Sequence, residues 1–140
     1  MPLPARSALV LLLSFACIAA VVQACAAVPA EECGRKPSHV EERACYLELA
    51  RSSGAELDRV QRELAGQVER WDQEADDRQR TKSLLLASFE RFKAFRAAQC
   101  EAEASLAAGG NGAGDMRLSC VARLNRSRIT GLRAVGLSLG

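Results

Sequence analysis

Four cysteines, Cys33, Cys45, Cys100 and Cys120, and a glycine-rich hexapeptide, Gly109 to Gly114, are the residues whose type and spacing could do chemistry. Gly109 and Gly114 have the separation of a phosphate-binding loop, G-x-x-x-x-G-K-[ST]. Asp115 and Met116 stand where that loop needs its lysine and hydroxyl, and an aspartate would face the phosphate. The hexapeptide therefore reads as a turn between two helices that lets Cys100 come back toward Cys120. Zinc is a poor fit, because there is no C-x2-C pair and the one histidine, His39, stands apart. His39 would also need a nucleophile and an orienting acid to catalyse anything. The adjacent acids Glu41/Glu42 and Asp76/Asp77 would point to different sides of a helix, so they read as solvated surface and not as a glycosidase pair. The expectation is a non-enzymatic chain with no catalytic residues, no cofactor and no metal.

Those cysteines matter only if the chain leaves the cytoplasm, and its start points that way. A single charge, Arg6, precedes an uncharged run from Ala8 to Val22, and small residues follow. This is the layout of a signal peptide over residues 1–26, with cleavage near 24–26. The run is short for a membrane span, which needs about 20 apolar residues. An alternative is open at the same place: Val22 to Cys25, "VQAC", resembles a bacterial lipobox, with Cys25 lipidated as the first mature residue. Either way the chain is exported, periplasmic or secreted, and it touches a membrane only through a lipid at Cys25. Cys17 leaves with the signal. The four remaining cysteines default to disulfides in an oxidising compartment. Four cysteines allow three connectivities. Locality favours Cys33–Cys45 and Cys100–Cys120, each contributing on the order of 3 kcal/mol by the chain-entropy estimate.

Charge is uneven along the chain. All 17 acids fall between Glu31 and Asp115 against 13 basic residues, while five arginines and no acid follow Asp115. In an exported chain with one Trp and one Tyr, packing against acidic helices explains the basic tail better than nucleic-acid binding does.

Four helices must position these residues. The first opens at a capping box, Ser38 with Glu41, carries Val40, Ala44, Leu47 and Tyr46, and stops before Gly54. The second starts from Ser53 and Glu56. Its stripe is Leu57, Val60, Leu64, Val68, Trp71 and Ala75. Residues Asp76 to Lys82 are polar all round, and read either as a connection or as an exposed turn of helix. The third helix sets Leu85, Phe89, Phe92, Phe95 or Arg96, and Leu106 near one face. The fourth starts with Asp115 as N-cap and carries Leu118, Val121, Leu124 or Asn125, Ile129, Leu132 and Val135. The sequon at Asn125 lies inside this helix and is discounted. The fold class is all-α: a small antiparallel three- to four-helix bundle stapled by two disulfides, with residues 27–37 as an N-terminal segment and 38–137 as the helical domain. Residues 54–77 carry eight acids and three arginines, so this acidic helix is expected to flank the basic fourth one.

One pattern is specific. Cys33, Cys45, "ELDRV", "FRAAQC" ending at Cys100, a glycine-rich gap, "LSC" ending at Cys120, then Arg128 with Leu132 resembles the LprI N-terminal-domain family of exported bacterial proteins. That family takes its name from a lysozyme inhibitor. The resemblance covers roughly Glu32 to Val135. It implies a family-pattern core of Phe92, Phe95, Arg96, Arg128 and Leu132. The chain departs from the pattern at Asp58, Gln61 and Phe89. The implied function is a cell-envelope binding protein that occludes a lysozyme-type muramidase. An envelope interaction or structural module with another partner is the alternative.

Overall fold

The computed structural model describes residues 29–139; the signal segment and Cys25 lie outside the described residues. Four helices follow in order: α1 (Pro29–Cys33), α2 (His39–Glu69), α3 (Ala75–Ser105) and α4 (Ala113–Leu137). There is no strand among the described residues. Three helices are long, and α1 is a single short turn lying inside the N-terminal segment.

Side-chain pairs fix the topology. Arg43, Ser53 and Glu56 of α2 meet Asp115, Asn125 and Arg133 of α4, with numbers rising together. α2 and α4 are therefore parallel. Ser88, Arg96 and Glu101 of α3 meet Arg128, Asn125 and Arg117 of α4, with numbers running in opposite senses. α3 thus runs antiparallel to both α2 and α4 and packs mainly on α4. The α2–α4 contact is the most extensive in the bundle and the α2–α3 contact the least extensive among the long helices. The acidic second and basic fourth helices are neighbours, as the charge pattern predicts.

Leu57, Val60 and Leu64 of α2, Phe89 of α3, and Ile129 and Leu132 of α4 form the core. Leu85, Phe92 and Leu139 pack against it from partly buried positions. Burial of such side chains gives each roughly 1.5–3 kcal/mol.

Both disulfides pair locally, Cys33–Cys45 and Cys100–Cys120, with Cα–Cα distances of 5.6 and 5.4 Å. Cys100 and Cys120 sit within intact helix, so α3 need not fray for them to meet. The chain reverses between them at Ala108 and Gly109, both in the left-handed region (φ 49° and 79°). Gly109 adopts that conformation at little cost, as a helix terminator should.

Several element boundaries differ from the sequence reading. Ser38 does cap α2, its Oγ accepting from the Glu41 N–H at 3.3 Å. The first two predicted helices, however, are one. Gly54 costs about 1 kcal/mol inside a helix, less than the burial on either side returns. Ser53 is then no cap: it is buried, and its hydroxyl bonds the Ala50 carbonyl one turn back. α2 ends at Glu69, so Trp71 and Ala75 fall outside its stripe. The turn is at residues 70–74, and the polar stretch Asp76 to Lys82 opens α3. Asp76 and Asp77 occupy its first turn, where the helix dipole favours acids.

α4 starts at Ala113 with Gly112 at the cap, two residues before Asp115. Asp115 cannot cap because it is buried, bonded to Arg43 instead. Exposure also corrects several expected core positions. Val40 and Leu47 are exposed while Tyr46 is buried, because α4 lies on the Tyr46 side of α2. Leu106 lies past the end of α3 and is exposed, as is Val135 near the end of α4.

Candidate protein-binding surface

The expected family-pattern residues do not form one buried set. Leu132 is buried, and Phe92 packs half-buried on the core. Arg96 and Arg128 both lie over the Phe92 ring, 5.8 and 5.5 Å from its centroid. Each such contact is worth about 0.5–1 kcal/mol at a partly exposed site. Phe95 is the exception at 53 % exposed. At Phe95 or Arg96, helical spacing could place either inward, and the structure turns Arg96 in.

Arg96 faces inward because a polar network receives it. Its Nη1 donates to Asn125 Oδ1 at 2.5 Å, and Asn125 Nδ2 donates to Ser53 Oγ at 3.1 Å. Asn125 is fully buried, which removes it as a glycosylation acceptor. Arg128 Nη2 donates to Ser88 Oγ at 2.5 Å. The network ties α2, α3 and α4 together at one level. The pairing of Ser53 with Asn125 crosses helices in a way no local spacing announces, and sequence reasoning missed it.

At the disulfide end, Arg43 Nη1 donates to Asp115 Oδ1 at 2.7 Å. A Cβ at Gly114 would meet that guanidinium, so this glycine gives the arginine its passage. His39 is exposed at the start of α2, 3.8 Å from both Glu42 and Asp115. Tyr46 lies beside Glu42, and burial above all pushes its phenol above the ordinary range. His39, Glu42, Tyr46 and Asp115 line a cleft of about 480 Å³ with Glu103 and Arg123. Between α2 and α3 a second groove holds Gln61, which is buried with Nε2 unpaired among the described residues.

The basic α4 distributes its arginines over all three other helices. Arg133 pairs with Glu56 of α2. Arg117 and Arg123 pair with Glu101 and Glu103 of α3, at 2.8 and 2.6 Å. Arg126 grips Glu32 of α1 through two bonds, at 2.5 and 3.0 Å. Within α2, Arg59 takes Glu56 and Glu63, and Lys82 of α3 takes Glu69. Among the described residues the carboxylates left without an ion pair concentrate at the α2–α3 turn, Asp72 and Glu74, and in the first turn of α3, Asp76 and Asp77.

The Glu32–Arg126 pair makes a prediction about acid. Its hydrogen bond holds the Glu32 carboxyl below the ordinary value of 4.5. A carboxyl lowered on folding contributes stability that is present above the unfolded value and lost as pH falls through the folded one. Docking of α1 should therefore be constant from neutral pH to about 5 and weaken below the ordinary carboxylate range. Glu32→Gln should cost less than about 1 kcal/mol at pH 7 and flatten that acid limb. Denaturant melts from pH 3 to 7 measure both; an unchanged acid limb in the variant would assign it to other carboxylates.

No helix among the described residues is long and apolar enough to cross a membrane. No group of His, Cys, Asp and Glu among them could hold a metal ion. Neither the curated proteins nor the solved structures contain a match to this chain. The family model described as lysozyme inhibitor LprI matches residues 31–132. That span contains both disulfides, the Ser53–Asn125–Arg96 network and most of the three long helices. The chain belongs to the LprI lysozyme-inhibitor family.

Proposed function

We propose that this is an exported cell-envelope protein that inhibits a lysozyme by covering its active site. The family match over residues 31–132 carries the reading. Occlusion needs a rigid surface and no reaction, and the fold supplies rigidity. Two disulfides hold the end where α1, α2, α3 and α4 meet, and the Arg96–Asn125–Ser53 network holds the middle. A surface fixed before binding loses less entropy on binding. Asp72, Glu74, Asp76 and Asp77 offer a basic partner such as a typical lysozyme carboxylates free of ion pairs among the described residues, interspersed with Arg70, Arg78 and Arg80, so local pairing rather than a net field would guide the encounter.

Export rests on the uncharged run and small residues of the first 26 positions. Whether Cys25 carries lipid is decided by Cys25→Ser, which should release membrane-bound protein into the soluble fraction.

A turbidity assay on bacterial cell walls tests the inhibitor reading. The purified oxidised domain should inhibit at least one of a panel of lysozymes stoichiometrically. No effect at micromolar excess across the panel would mean that its partner is something else.

A further inference from the structure

We propose that the outward face of α3 enters the substrate cleft of the muramidase, with Arg91 directed at the cleft's catalytic carboxylates; this rests on the inhibitor reading above. α3 is built unlike the other long helices. It is 31 residues long but buries only Phe89, Cys100 and Ala104. Its opposite side is also apolar. Leu84 is 63 % and Phe95 53 % exposed, and Ala87 and Ala98 beside them are exposed too. Leu84, Arg91 and Phe95 fall at i, i+7 and i+11, one stripe of a helix. Helices that lie in a partner's groove present anchors at that spacing.

Charge selects the occupant. Arg80 and Arg91 stand exposed along this stripe without a carboxylate partner among the described residues, whereas α4's Arg117, Arg123, Arg126 and Arg133 are each paired. Arginine is enriched at binding hot spots, and the exposed Phe95 lies one helical turn from Arg91. Its complement is a groove that holds a carboxylate. A muramidase cleft is such a groove, since glycoside hydrolysis uses two carboxyl groups flanking the scissile bond. Arg suits that target through its two-pronged hydrogen bonding.

Among the described residues nothing from α1 covers this face. α1 packs on α2 and α4 and not on α3.

Binding to the lysozyme inhibited in the turbidity assay, measured by calorimetry, tests the assignment. Arg91→Glu and Phe95→Ser should each weaken binding about tenfold or more, the scale of a hot-spot residue. Lys36→Glu, the same charge change in the exposed α1–α2 connection, should shift it less than about twofold. Circular dichroism should show native helicity in every variant, because the replaced side chains are exposed; Leu84→Ser replaces Phe95→Ser should the latter unfold. If wild type binds and the α3 variants bind equally well, this face is wrong while the inhibitor reading stands. If wild type binds no lysozyme, the reading fails and takes this assignment with it. If wild type sediments as a dimer that Phe95→Ser disperses, the face is a self-interface and the assignment is overturned.

Discussion

Phe89→Ala is expected to lower the free energy of unfolding by roughly 3–5 kcal/mol. The ring is 5 % exposed and lies among Leu57, Leu64, Ile129 and Leu132, so truncation leaves a cavity bordered by all three long helices. It is also the only large apolar side chain that α3 buries fully; Cys100 and Ala104 are small. Phe92→Ala should cost roughly half as much. Its ring is half-buried, and part of its loss is the contact with Arg96 and Arg128. Denaturant melts of the two variants measure the difference. Equal losses would place the two rings equally in the core and contradict the packing.

Replacing both Cys100 and Cys120 with alanine is expected to cost about 3 kcal/mol, from a chain separation of 20 residues between the two cysteines. The loop they close is the glycine-rich turn, which has no packed side chain of its own to hold α3 against α4 at that end: residues 108–112 are all exposed. Arg117–Glu101 and Arg123–Glu103 cross the same junction, but exposed pairs of that kind give about 0–1 kcal/mol each. The disulfide therefore dominates there. Thermal melts of the variant should drop well below those of wild type. A loss under about 1 kcal/mol would shift the credit to the ion pairs. Titration of the folded, unreduced wild type should find no reactive thiol among Cys33, Cys45, Cys100 and Cys120.

The helices were legible where burial repeats at helical spacing. Leu57, Val60, Leu64 and Val68 form a stripe that holds in the structure. The disulfide pairing was legible because both pairs are local. Boundaries failed where glycine and polarity misled. Gly54 looks like a terminator but lies mid-helix, while the real break at residues 70–74 contains neither glycine nor proline. The α3 pattern is ambiguous because apolar residues surround the helix, and so Phe95 and Arg96 could each be placed inward. Arg96 wins because Asn125 of α4 receives it; Phe92, four residues back on the same helix, is within reach by spacing, but Asn125 is not.

Charge segregation was read correctly in part. It places α2 beside α4, and they are neighbours. It did not foresee that α4's arginines would divide among three helices, with Arg126 taking Glu32 of α1. Nor did it foresee that α2's own arginine would neutralise Glu56 and Glu63. Among the described residues the carboxylates left without an ion pair thus lie at the α2–α3 turn and the start of α3 more than in α2, with Arg70, Arg78 and Arg80 among them.

Occlusion of the lysozyme cleft is tested most directly by competition. The oxidised protein is titrated calorimetrically into lysozyme alone and into lysozyme saturated with a soluble oligosaccharide fragment of its substrate. Occlusion predicts that the sugar abolishes binding, or weakens it in proportion to its own occupancy. Equal affinity with the cleft filled and empty would contradict it.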